Sequence, residues 1–300
     1  MRLKVLVTGG AGFVGTNLIK RLLKDGHDII SIDNYSTGKL ENNQDGCKYL
    51  DFDCVDTEGW KQIKEFWGTN TPDVIFHLAA LARIQPSFEN PAETIEANVM
   101  GTLNVLEYAR KDKIPVVYSG SSSVHSGKFM NPYTFSKYQG EDLCIMYSEL
   151  YDVPTTICRF YNVYGPHHLT EGDYCTVIGI FETQYENREA LTVTGDGEQR
   201  RDFTHVEDIV DGLMRCSEHF TFKGEIFELG SGENFSINVI ADSFDGGKEY
   251  IEARPGEACD TLCTDKKAHE LLGWKPKHNI LDYIAEFKNE IDFIHNTLPK

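Results

Sequence analysis

The sequence predicts an α/β protein built on a doubly wound parallel sheet, with a smaller C-terminal substrate-binding lobe. Three observations predict it. Residues 3–7, LKVLV, are an apolar run that breaks at a glycine-rich turn, VTGGAGFVG over 7–15. The next segment, FVGTNLIKRLLKD over 13–25, repeats its apolar positions at helical spacing, and Gly26 is placed to end it. Residues 28–33, DIISID, are a second apolar run that closes in an acid. The order is strand, helix, strand, with glycine at the first turn.

Each glycine of that turn answers a separate physical need. Gly9 allows the tight exit from the strand, Gly12 lets a pyrophosphate approach bare backbone, and Gly15 lets helix and strand pack closely. The helix start then offers free N–H groups and a positive dipole end to phosphates. Asp33 lies where an acid accepts hydrogen bonds from an adenosine ribose. That acid would repel a 2′-phosphate and no arginine follows it closely, so NAD is expected rather than NADP.

The alternation continues along the chain. VIFHLAA (74–80) reads as a strand ending in small residues, AETIEANVMGTLNVLEYARK (92–111) as a helix, and IPVVYSGSSS (114–123) as a strand ending in serines. PYTFSKYQGEDLCIMYSELY (132–151) reads as a long helix with proline at its start, and PTTICRFYNVYGP (154–166) as a strand and loop. Beyond 166 the pattern loosens. GDGEQRRDF and EARPGEACD look like loops, while TDKKAHELLGW and ILDYIAEFKNEIDFI look helical. The dinucleotide-binding domain is therefore placed at 1–166, with a returning segment near 201–230, and the substrate lobe at 167–200 and 231–300. Trp60, Trp67 and Trp274 read as packing residues.

Composition narrows the function classes. The chain has 300 residues, 40% hydrophobic and 25% charged, which suits a globular protein with a sizeable core. Its net charge of −18 argues against nucleic acid and against an anionic membrane surface. No apolar run is long enough to span a bilayer, and the start is too short for a secretory leader. The eight cysteines are scattered, and Cys259 and Cys263 have no histidine pair to complete a zinc site. Reduced thiols, a cytoplasmic location and no metal are expected.

The chemistry is expected where the serine-tipped strand meets the long helix. Tyr133 and Lys137 are four residues apart, hence on one helix face. An ammonium beside a phenol favours the phenolate, which makes Tyr133 a general base for an alcohol or sugar hydroxyl. A second pair at this spacing, Tyr35 and Lys39, falls in a loop; only Tyr133 follows a strand ending in serines.

Taken together and in order, TGGAGFVG, DNYSTG, HLAA, SGSSSV, PYTFSK, RFYNVYGP, GDGEQRRDF and RPGE resemble the extended short-chain dehydrogenase/reductase family of nucleotide-sugar epimerases and dehydratases. The likeness runs from residue 3 to about 285 and is nearest to the UDP-hexose 4-epimerases. It implies a Rossmann fold and a bound NAD, held by Gly9, Gly12, Phe13, Val14 and Gly15 at the pyrophosphate and by Asp33, Asn34, Ser36 and Gly38 at the adenosine ribose. Asp53 and Cys54 fall at the adenine edge, Ala79 and Ala80 line the cofactor cleft, and Asn98 supports it. Ser121, Tyr133 and Lys137 are the implied catalytic residues, Lys137 also binding the nicotinamide ribose. Ser121 also faces the substrate. Asn162, Arg201 and Arg254 match the contacts to the substrate diphosphate, and Glu257 the acid near the uridine ribose. Thr261 stands where a small residue leaves room for a 2-acetamido group, so some activity on UDP-GlcNAc is expected.

The departures matter as well. His125 replaces a usual tyrosine, and the segment between Val124 and Pro132 is short. Ser122 and Ser123 stand where 4,6-dehydratases carry Asp-Glu and decarboxylases a glutamate, and serine cannot do that acid–base work. The expected activity is C4 inversion of UDP-glucose and UDP-galactose. UDP-glucuronate 4-epimerases share the serine run and rank second. A reductase with exchangeable cofactor and a non-catalytic NAD-binding regulator are the remaining readings. His167 and His168 are expected to face solvent, and His205 to be hydrogen-bonded within the fold. The apolar stripes of the helices at 92–111 and 136–150 imply a homodimer, as in the family.

Overall fold

The computed structural model describes residues 2–68, 71–219, 223–256 and 258–297. Its centre is a seven-stranded, all-parallel sheet. The first six strands are β1 (Lys4–Thr8), β2 (Asp28–Asp33), β3 (Cys47–Asp51), β4 (Val74–His77), β5 (Val116–Ser121) and β6 (Thr155–Phe160). The seventh, Lys223–Leu229, lies at the edge beside β6, giving the spatial order Lys223–Leu229, β6, β5, β4, β1, β2, β3. Strand order reverses between β1 and β4, which opens a crevice at their C-terminal ends.

Period-two alternation sends each strand's side chains to two cores. Val5 and Val7 pack with Leu18, Ile19 and Leu22 of the first helix, Phe13–Lys24, while Leu6 packs on the other face with Val105 and Leu106. Both sets are buried, as a sheet covered on two faces requires. Gly26 ends the first helix with φ +83 and donates to the Leu23 carbonyl at 3.0 Å. A third core, including Tyr164, Ile178, Phe181, Leu191, Val193, Phe244 and Ile284, lies under the elements that follow β6. There the short strands Leu191–Thr194 and Lys248–Ile251 pair in parallel.

Two expectations change on contact with the structure. The helix expected over 92–111 is α-helical at Pro91–Ile95, widens into a π turn at Glu96–Met100, and resumes at Gly101–Arg110. The segment GDGEQRRDF, expected as loop, contains a strand, Arg200–Asp202, paired antiparallel with Asn234–Ser236. Its buried Asp202 explains the order: the carboxylate accepts from the Ser231 hydroxyl at 2.7 Å and from the backbone N–H of Ser231, Gly232 and Cys263 at 2.7, 3.0 and 3.0 Å. The long helix, by contrast, runs Pro132–Tyr151 as expected, with Asn131 accepting from the Thr134 N–H at 2.7 Å. None of the described helices is long and apolar enough to cross a membrane.

Candidate active site

The C-terminal strand ends open into a cavity of about 580 Å³. Among its lining are Gly9, Gly12, Phe13, Val14, Gly15, Asp33, Asn34, Ser36, Gly38, Asp53, Cys54, Ala79 and Ala80 from one half. The other half brings Ser121, Tyr133, Lys137, Asn162, Arg201, Arg254 and Thr261. Residues far apart in sequence are thus gathered at one crevice. Glu257 lies outside the described residues.

The first half fits a dinucleotide. A Cβ on Gly15 would sit 2.1 Å from the Gly9 carbonyl oxygen, so only glycine lets the helix start this close to the turn. A Cβ on Gly12 would meet only that same oxygen, at 3.3 Å; the rest of its surroundings is open. Bare backbone beside open space at a helix start is what a pyrophosphate requires. Gly9 itself has φ +74, in the left-handed region. Asp33 is fixed from both sides, accepting from the Ala11 and Tyr35 N–H groups at 2.9 Å each. Burial raises its pKa, opposed by those two hydrogen bonds. Each carboxylate oxygen keeps a lone pair for a ribose hydroxyl. Asn34 donates to Asp53 at 2.6 Å and accepts from the Ser36 N–H at 3.0 Å, which sets the adenosine side of the crevice.

Asn98 stands behind the cleft rather than in contact with its space. It does not line the cavity; it is buried behind it, in the π turn, where it holds the Leu81 backbone.

In the second half, β5 delivers Ser121, and the long helix carries Tyr133 and Lys137 in its first two turns. The Ser121 hydroxyl donates to Ser123 at 3.0 Å and caps the turn by accepting from the Ser123 N–H at 3.2 Å. Burial raises the Tyr133 pKa; the Ser121 hydrogen bond and the Arg83 charge oppose it. Lys137 behaves differently from its sequence expectation. Its ammonium donates to the Ser119 carbonyl at 2.9 Å and lies 5.1 Å from the Tyr118 ring centroid. Burial lowers its pKa to about 8. The protein charge acting on the Tyr133 phenol is the guanidinium of Arg83, a residue the sequence analysis missed. Its signal was a lone cation inside an apolar stretch, LARIQPS.

Asn162 donates both amide protons inside the protein, to the Asp202 carbonyl at 2.9 Å and to Thr261 Oγ1 at 3.2 Å. Its side chain therefore offers a ligand an acceptor, and the donors suited to a diphosphate are Arg201 and the exposed Arg254. Thr261 is held by the same contact and by the Asp202 N–H at 3.2 Å, so its hydroxyl is part of the wall.

The histidines also differ from expectation. His168 is buried, 2.6 Å from Glu182 and edge-on to Phe13, rather than facing solvent. His125 pairs with Glu228 at 2.9 Å and so joins the ion pairs of Arg159; hydrogen bonding to Glu228 raises its pKa. His205, Glu207 and His278 bring potential metal-ligand atoms within 4.8 Å of one another, outside the cavity lining. His205 Nδ1 is already occupied, accepting from the Glu207 N–H at 3.3 Å as a helix cap.

A glycine cradle, a ribose acid and a tyrosine–lysine pair at the switch point of a parallel sheet define an extended short-chain dehydrogenase/reductase. The chain belongs to the NAD dependent epimerase/dehydratase family, whose model matches residues 5–230. It is 30% identical to the UDP-glucose 4-epimerase of Mycolicibacterium smegmatis, over 98% of this chain and 99% of that protein. The crystal structure of Thermotoga maritima UDP-glucose 4-epimerase with UDP-glucose is similar at TM-score 0.89 and 28% identity, covering 99% of this chain and 100% of that one. The Bacillus cereus UDP-glucuronic acid 4-epimerase, solved with UDP-glucuronic acid and NAD, is similar at TM-score 0.86 and 26% identity, covering 97% and 100%. This chain is accordingly an NAD-dependent enzyme of the nucleotide-sugar epimerase and dehydratase group.

Proposed function

We propose that this enzyme inverts C4 of a UDP-hexose, the UDP-glucose/UDP-galactose pair being the parent case and UDP-GlcNAc/UDP-GalNAc and UDP-glucuronate its variants. The observation that carries the reading is the placement of Tyr133, half-buried beside Ser121, in the same cavity as the glycine cradle. When bound, NAD supplies a reversible hydride acceptor and a positive charge that favours the phenolate. Tyr133 takes the proton of the sugar 4-hydroxyl through Ser121 as hydride leaves C4, and returns it when hydride comes back to the other face of the 4-keto sugar. Lys137 holds the ribose end of the cofactor, and Arg201 and Arg254 hold the diphosphate while the sugar turns. The serines at 122 and 123 offer no carboxyl group for elimination or decarboxylation, which favours epimerisation over the other activities of the group.

A homodimer completes the reading. Ile95, Met100, Met146, Leu150 and Tyr151 are exposed on the helical segments that would pair. A cytoplasmic location fits the eight free thiols. The test is C4 inversion of UDP-galactose and a panel of UDP-sugars followed by NMR. Wild type should interconvert at least one pair, and Tyr133→Phe should lose at least about 100-fold in kcat. Wild-type turnover in Tyr133→Phe, or no C4 inversion of any UDP-sugar by wild type, rejects it.

A further inference from the structure

Arg83 lines the cavity, and the proposed chemistry gives it no contact with the substrate. It ends the loop after β4 and sits at the start of the helix Ile84–Glu89. Its Nε donates to the Tyr174 carbonyl at 2.8 Å and one terminal nitrogen donates to the Ala82 carbonyl at 2.9 Å. Both partners are neutral. No carboxylate among the described residues pairs with it. The surface it keeps opens into the cavity. Desolvation lowers its pKa, and the groups that oppose this are Tyr133, Cys175 and Tyr174. Arg83 is half-buried, and a guanidinium drawn out of bulk water with only neutral partners carries a desolvation cost that an anion would offset. Two carbonyls fix its plane and leave the second terminal nitrogen unspent, the geometry of a fork awaiting an acceptor.

The ligand's chemistry limits what that acceptor is. The diphosphate has Arg201 and Arg254. Arg83 instead acts on Tyr133, the residue proposed to meet C4. A sugar with C4 at Tyr133 places its C5 substituent one carbon from the reacting centre. In a neutral hexose that group is a hydroxymethyl, which offers one weak acceptor. In a hexuronate it is a carboxylate, which matches the fork in charge and shape.

We propose that Arg83 is a carboxylate receptor, and that the favoured substrate is a UDP-hexuronate, the class represented by UDP-glucuronate, rather than a neutral UDP-hexose. This rests on the C4 reading above and deepens it. It promotes the sugar that the sequence alone ranks second.

The experiment uses the NAD-loaded enzyme and measures kcat/KM and equilibrium binding for UDP-glucuronate and UDP-glucose, with UDP alone as the reference ligand. Wild type should favour UDP-glucuronate by at least about tenfold in both measurements. Arg83→Gln, whose amide can still donate to Tyr174, should lose about 100-fold in affinity for UDP-glucuronate and less than about threefold in affinity for UDP-glucose, while the loss of its charge beside Tyr133 lowers kcat on both sugars alike. Arg83→Lys, which keeps the charge and loses the fork, should fall between them. Equal affinity of wild type for the two sugars, or an equal loss of affinity for both in the variants, overturns the proposal; the latter would make Arg83 a positioning residue for Tyr133 or a support for Tyr174. Arg83-dependent binding of UDP-glucuronate without C4 inversion of any UDP-sugar would sink the reaction assignment and leave the receptor standing.

Discussion

Asn98 grips Leu81 by both ends of its backbone: Oδ1 accepts from the Leu81 N–H at 2.8 Å, and Nδ2 donates to the Leu81 carbonyl at 3.1 Å. The same amide donates to Ser136 at 2.9 Å, and Ser136 donates to the Tyr133 carbonyl at 2.7 Å. One buried side chain therefore ties the loop after β4, which lines the cavity, to the first turn of the helix that carries Tyr133. The π turn at Glu96–Met100 is where the helix widens around it, as such turns often do at working sites. Asn98→Ala would strand the Leu81 N–H and carbonyl in a buried place. The expected cost is about 2–4 kcal/mol, read from urea denaturation, together with weaker NAD retention on gel filtration. Stability and NAD content equal to wild type would show that Leu81 is held by something else.

The glycine turn makes a paired prediction, because Gly12 and Gly15 fail for different reasons. A methyl on Gly15 meets the Gly9 carbonyl oxygen at 2.1 Å and Gly10 Cα at 2.7 Å, so the backbone itself has to move. Gly15→Ala should lower stability by about 2–4 kcal/mol even with no nucleotide present. Gly12 has φ −81, open to any residue, and a methyl there meets one atom at 3.3 Å. Gly12→Ala should fold with stability within about 1 kcal/mol of wild type and yet bind NAD at least about tenfold more weakly, because the methyl stands where phosphate has to approach. Thermal melts with and without NAD separate the two outcomes; a Gly12→Ala protein with undiminished NAD stabilisation would remove Gly12 from the cradle.

What the sequence showed follows the range of the interactions involved. The strand–turn–helix around Gly9 to Asp33 was legible because each signal is local: an apolar run, a turn residue, a periodic stripe and a helix stop within thirty residues. The same holds for Pro132–Tyr151, whose cap, proline and periodicity are contiguous. Asp202 was not legible as a hub, because its four principal donors lie at 231, 232 and 263 and no local pattern announces them. The strand at Arg200–Asp202 was lost for the same reason: its partner is thirty-odd residues away. His168 was expected at the surface because Glu182 pairs with it only through the fold. The ammonium of Lys137 was placed by spacing on the correct helix face, but spacing does not report that Ser119 accepts its proton.

The ion pairs of Arg159 bind the sheet edge to the long helix. Arg159 donates to Glu141 at 3.0 and 2.6 Å and to Glu228 at 2.9 Å, and both carboxylates are buried. Burial raises the pKa of Glu141, with Arg159 opposing it. The Glu228 carboxyl is held below its ordinary value; burial pushes it up, and His125 and Arg159 outweigh that. Arg159→Met keeps much of the packing and removes the cation, leaving Glu141 uncompensated and Glu228 with His125 alone. The expected loss at pH 7.5 is about 3–5 kcal/mol. That loss should shrink at pH 5, where an unpaired carboxyl escapes the penalty by protonating. Denaturation at the two pH values checks it; a loss independent of pH would assign the cost to packing.

His77 makes the sharpest pH prediction, because its buried ring is held between two threonine hydroxyls. Thr8 Oγ1 accepts from the Ala79 N–H at 3.2 Å and lies 2.7 Å from His77 Nδ1. On the other side His77 Nε2 lies 2.9 Å from Thr102 Oγ1, whose proton is donated to the Asn98 carbonyl at 2.6 Å, so Nε2 is the ring donor. The ring is neutral with Nδ1 as acceptor, and a second proton would put an unpaired charge into a buried site. Burial lowers its pKa from 6.5 to about 3, and the Lys137 charge adds to the shift. The sign follows from proton binding. Below pH 6.5 the unfolded chain takes up a proton at this histidine that the folded chain refuses until about pH 3, so stability falls as pH falls through that window. The slope attributable to His77 approaches about 1.4 kcal/mol per pH unit. His77→Gln, which keeps a neutral amide between Thr8 and Thr102, should be less stable than wild type at pH 7.5, and that deficit should narrow steadily toward pH 4.5. Urea unfolding of both proteins across that range measures it, and parallel pH profiles would mean the ring accepts its proton in the folded state.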